Sequence, residues 1–134
     1  MQTIEVELDL KEICKKIIAL DMKIRFAGII NERGRLVTGA VNDKTKFLVD
    51  KKDREMLFME VALRTRMRQE FDHYLELSNF SITHREKVII MKCPIKKETL
   101  HVSAENGLEL GKIPFEILEI LKISMKKLII IVLE

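Results

Sequence analysis

Five side chains in this sequence have the chemistry of soft-metal ligands: Cys14, His73, His84, Cys93 and His101. None of them falls into a C-x-x-C or H-x-x-x-H spacing, so the pattern predicts no metal centre. Cys93 precedes Pro94, but nothing in the spacing marks a lowered thiol pKa, and both cysteines are expected to be buried and structural. The sequence has no G-x-S-x-G elbow and no phosphate-cradling G-x-x-x-x-G-K-[ST] loop. Carboxylate pairs occur, but none sits in an apolar segment that would raise a pKa for acid–base work. The expectation is therefore a protein that is not an enzyme and uses no cofactor. The remaining candidates are three arginines, Arg64, Arg66 and Arg68. On a helix Arg64 and Arg68 share a ridge with Glu60, a spacing that favours ion pairing. They could meet an acidic or phosphate-bearing partner, or they could form a solvated ridge.

The composition narrows the partners. The 24 basic and 21 acidic residues leave a net charge of only +3, too balanced for a nucleic-acid footprint. Single-stranded nucleic acid would also call for exposed aromatics, whereas the six Phe and one Tyr fall mostly in apolar patterns. The longest apolar run, Leu128–Leu133, is far short of the about 20 residues a membrane helix needs. Two distant cysteines and an N-terminus without basic or apolar signal regions predict a cytoplasmic setting.

These residues must be positioned by a small number of elements. Met1–Leu8 alternates weakly and reads as a strand or a frayed end. Asp9, with Glu12 three residues on, reads as the cap of a first helix. Ile24–Ile30 and Arg35–Val41 form a hairpin around Asn31–Gly34, with Phe26 placed opposite Gly39 and Gly28 opposite Val37. Residues 42–50 form a polar connector in which lysines and aspartates interleave. Asp50 or Asp53 then caps a long helix through Leu75. From Met56 to Leu63 only Glu60 is polar, so that stretch needs cover on more than one side. Phe80–Arg85, Lys87–Cys93 and Thr99–Glu105 read as three strands, with Pro94 ending the middle one. Pro114 opens a last helix through about Ser124. The tail 125–134 is rich in β-branched residues and predicts an added strand, although Met125, Leu128, Ile129 and Val132 also have helical spacing. The chain is read as one domain, 1–134, of α/β (α+β) class. It has a five-stranded antiparallel sheet between helices, in the order α-β-β-α-β-β-β-α.

That order resembles the roadblock / dynein-light-chain family and its profilin-like relatives, including small uncharacterised members from archaea. The resemblance rests on the hairpin FAGIINERGRLVTG, the long helix DREMLFMEVALRTRMRQEF and the strand segment FSITHREKVIIMKCPIKKETLHVSAE. It spans roughly residues 9–123, and the tail after Ser124 is an addition to the pattern. It implies a non-catalytic homodimer that serves as a signalling scaffold or regulatory subunit, with a small Ras-like GTPase or another signalling protein as partner. The pairing surface it implies contains Met56, Met59, Glu60, Leu63, Phe80, Ile82 and His84; Arg64, Arg66 and Arg68 stay the candidate partner-binding residues on the reading of their charge given above. The alternative from a different class is a sensory domain that holds a small apolar ligand between sheet and helix.

Overall fold

The computed structural model describes residues 3–42 and 50–133, and side chains over residues 10–42 and 50–124. The connector at residues 43–49 lies outside the described residues. The elements are α1 (Thr3–Ile18), β1 (Ile24–Ile30), β2 (Leu36–Val41), α2 (Lys51–Gln69), α3 (Asp72–Leu75), β3 (Ser81–His84), β4 (Val88–Ile95), β5 (Glu98–Glu105) and α4 (Ile113–Leu133). The five strands form one antiparallel sheet in the order β2-β1-β5-β4-β3. The helix pair α1 and α4 covers one face, and α2 lies on the other. This is the expected architecture.

Strand alternation sorts the side chains between the two faces. Ala27, Ile29, Ile89, Met91, Cys93, Leu100, Val102 and Ala104 pack with Ile13, Cys14, Ile17, Ile117 and Leu121 in the main core. The opposite face of the same strands carries a smaller cluster, in which Ile30 packs with Val61, Ala62 and Phe58 of α2. β1 is buried along almost its whole length because helices cover both of its faces.

Several expectations are corrected. Among the described residues α1 begins at Thr3, so residues 3–8 are helical rather than a strand and Asp9 lies inside a helix. No Gly or Pro interrupts residues 3–18, and extending a helix is far cheaper than nucleating one. The hairpin register differs by two residues. Gly28 faces Gly39 and Phe26 faces Val41, with an irregularity at Ile29/Ile30. The Phe26 ring still shields the glycines, but along its own strand. A Cβ on Gly28 would meet its Cζ at 2.5 Å, and one on Gly39 its Cε1 at 3.1 Å. Pro94 does not end β4. It pairs with Thr99, and the strand runs one residue further to Ile95 before a two-residue turn at Lys96-Lys97, where Lys96 adopts φ 56°. The long helix stops at Gln69, and a separate turn, α3, follows. Finally, the tail is helical: α4 continues to Leu133 where an extra strand was expected. β-branched residues cost only fractions of a kcal/mol each in a helix. With no Gly or Pro after Pro114, nothing stops α4 from continuing.

A candidate interaction face on the long helix

α2 is anchored at both ends. Asp50 caps it, its carboxylate accepting from the Asp53 amide at 3.0 Å. The tip of the β1–β2 hairpin presses against its first half. Gly34 has φ +77°, and a Cβ there would sit 2.7 Å from the Met59 Cα. At the other end Gln69 Nε2 donates to the Lys96 carbonyl at 2.7 Å, and Arg68 Nη1 donates to Ser81 Oγ at 2.6 Å. In the middle the buried Thr65 and Thr99 hydroxyls are 2.8 Å apart and bond to each other.

Under the helix a ring cluster fills the gap to the sheet. His101 stands 5.6 Å from Phe58 and 6.1 Å from Phe26, and the two phenyl rings are 6.3 Å apart. His101 is only 3% exposed and its Nδ1 has no hydrogen-bond partner. Burial, and next the charge of Lys92 across the strand pair, lower its pKa from 6.5 to about 4. It is therefore a neutral packing residue at ordinary pH.

Among the described residues, nothing covers α2 away from the sheet. Met56, Met59, Leu63 and Met67 are 66, 62, 58 and 59% exposed, and Phe71 continues the stripe. An open groove of about 480 Å3 runs along it, lined by Glu60, Leu63, Arg64, Met67, Arg68 and Phe71. A contiguous apolar surface rimmed by charge is the signature of an interaction site. Tyr74, Leu75 and Leu77 extend the exposed apolar surface beyond the helix. Glu76, in the middle of that extension, is held at φ 64°.

The expected surface is thus only partly assembled. Met56, Met59, Glu60 and Leu63 share the outer face of α2. Phe80 and Ile82 do not join them. Ile82 pairs with Met91 and packs into the core on the α1/α4 side, and the Phe80 ring lies edge-on to Phe115 of α4 at 5.6 Å. Alternation along a strand imposes this, because Ile82 must share the face of its neighbour Met91. His84 is exposed at the end of β3. β3 is the edge of the sheet, so its backbone remains a pairing surface even though these side chains turn away. The arginines divide as well. Successive ones are two residues, or about 200°, apart on a helix. Arg64 and Arg68 therefore share the β3 flank and Arg66 lies on the other. Arg64 pairs with Glu60 at 3.1 Å.

Met67, Phe71 and Lys92 join the site without having been selected from the sequence. For Met67 the signal was present, four residues beyond Leu63. Lys92 is the only charge in the β4 sequence VIIMKCPI and is 8% exposed. Its pKa is lowered by burial first and then by Arg68, with Arg64 and Arg85 adding and Glu60 opposing. Among the described residues no group of three His, Cys, Asp or Glu is placed to hold a metal ion. The thiols of Cys14 and Cys93 are pushed up by burial, to about 11 and about 12. Among the described residues no helix is long and apolar enough to cross a membrane.

Sheet order and helix placement define a Roadblock/LC7 fold. A Roadblock/LC7 domain from Streptomyces avermitilis superposes with a TM-score of 0.67 at 8% identity, over 90% of this chain and 98% of that one. The gliding protein MglB of Thermus thermophilus gives 0.67 at 14% identity, over 87% of each chain. Myxococcus xanthus MglB gives 0.65 at 12%, over 89% and 96%. In sequence, residues 1–129 match the family of unknown function DUF6659, and the chain belongs to that family. No curated protein sequence matches it significantly.

Proposed function

We propose that this protein is a non-catalytic homodimer that pairs through the outer face of α2 and the β3 edge. In this reading it serves as a regulatory or scaffold subunit for a small Ras-like GTPase or another signalling protein. The observation that carries the proposal is the stripe Met56, Met59, Leu63 and Met67, more than half exposed on the longest fully described helix. Burying one such side chain contributes about 1.5–3 kcal/mol, so a two-fold pair of stripes supplies a strong drive to associate. The Roadblock/LC7 likeness supports it, and MglB, one protein of this fold, is described with a tetrameric arrangement. The partner class rests on the family resemblance. The ligand-sensor alternative has less support, because Phe26, Phe58, His101, Ile30 and Val61 occupy the space that a ligand between sheet and helix would need. Light scattering after size exclusion tests the pairing, and a monomer at tens of micromolar would refute it. Affinity capture from native lysate, read by mass spectrometry, tests the partner: recovery of a GTPase with wild-type protein only would support that class.

A further inference from the structure

Among the described residues, Lys92 is the only lysine, arginine, aspartate or glutamate that is buried. Its neighbours Met91 and Cys93 pack in the main core, so strand alternation turns Lys92 to the α2 face. There it pairs with Ser81 of β3 on one side and His101 of β5 on the other. Thr65, Arg68 and Gln69, three and four residues apart on one face of α2, line the same recess. The recess holds about 10 Å3, room for one water-sized particle. Nothing in it neutralises the ammonium: among the described residues no carboxylate lies within ion-pair distance of Lys92 or Arg68. Asp72 forms part of the wall without reaching that distance. The charges acting on Lys92 are mostly of its own sign, Arg68, Arg64 and Arg85 against Glu60 alone. The recess is also rich in donors. Arg68 Nη1 donates to Ser81 Oγ, which leaves the Ser81 proton and the other guanidinium N–H groups to donate elsewhere. An unpaired buried charge is costly, and a neutral water offsets only part of that cost.

We propose that this recess is a binding site for one monatomic anion, chloride, held between the Lys92 ammonium and the Arg68 guanidinium with the Ser81 hydroxyl as a further donor. Charge calls for an anion, and size selects which one. A chloride ion is little larger than a water molecule, whereas phosphate, sulfate and carboxylates carry several heavy atoms. The bound ion ties the second half of α2 to β3 and β4, beside the Arg68–Ser81 and Gln69–Lys96 hydrogen bonds. Every residue of the site belongs to one protomer, so the site does not depend on how the chain pairs.

The test melts the full chain at fixed ionic strength and fixed protein concentration while sodium chloride replaces sodium gluconate, each variant being checked for folding by circular dichroism. The wild-type midpoint should rise along a saturating curve, by about 3–6 °C at a tenfold excess over the dissociation constant. Lys92→Met, which keeps the apolar stem and loses the charge, should show no such curve. Arg68→Gln, an exposed position, should bind about tenfold more weakly. Asp72→Asn should bind more tightly than wild type, because a repelling charge leaves the wall. The chloride NMR resonance should broaden with wild type and stay narrow with Lys92→Met, which reads occupancy without unfolding the protein. Equal chloride responses in wild type and Lys92→Met would overturn the site and leave a general salt effect. A response seen only in Asp72→Asn would also overturn it, since Asp72 would then be the counterion. A Lys92-dependent response to sulfate as large as that to chloride would overturn the choice of a monatomic ion.

Discussion

Acid should destabilise this protein through one residue, His101. The ring is buried between Phe26 and Phe58, opposite Lys92 in the strand register, with Nδ1 unpartnered. Burial and then the Lys92 charge hold its pKa at about 4, against 6.5 when unfolded. Between those values the unfolded chain binds the proton and the folded one does not. Stability therefore rises with pH across this window. Its full contribution is present above about pH 6.5 and is lost as pH falls through about 4. The difference corresponds to about 3 kcal/mol at most, a large share of the about 5–15 kcal/mol that a domain has. Glu98 works in the opposite sense: burial raises its pKa, so its contribution grows as pH falls. A comparison with His101→Leu removes that background. Urea titrations at fixed protein concentration between pH 7 and 4.5 should show a steep loss in wild type. The variant should show a profile flatter by a few kcal/mol. An equal slope in both proteins would refute the reasoning, because the proton would then be binding elsewhere.

Other expectations follow from the same packing. Gly34→Ala should cost about 2–4 kcal/mol in chemical denaturation, from a positive φ and from a contact with helix backbone that cannot move aside. Thr65→Val should cost about 1–3 kcal/mol by stranding the Thr99 hydroxyl, and Thr65→Val/Thr99→Val should cost less than the sum of the singles, as a double-mutant cycle would show. Leu63→Glu should yield a folded monomer by light scattering, because a charge would lie in the middle of the exposed stripe through which the chains are proposed to pair. Cys14 and Cys93 should resist a thiol reagent at pH 8 until the protein is unfolded, since both thiols are buried and raised well above that pH.

Hydrophobic periodicity was enough to locate the larger elements: it is a local property, and a sheet with helices on both faces follows from its order. The Asp50 cap and the excess apolar surface on Met56–Leu63 were legible for the same reason, since residues three and four apart must share a helix face. What failed depended on partners distant in sequence. Hairpin register was decided by where Phe26 could fold over Gly28 and Gly39. The faces of Phe80 and Ile82 were decided by the pairing of β3 with β4, which turns them to the core on the α1/α4 side. The buried pair Thr65 and Thr99 comes from residues 34 apart. The tail is a case where two local signals competed. β-branching favoured a strand, but a helix already running from Pro114 could continue at little cost. The sequence alone placed Glu60, Arg64 and Arg68 on one ridge of α2. Only the tertiary structure laid that ridge beside β3 and over Lys92, because β3 and β4 reach α2 from residues distant in the chain.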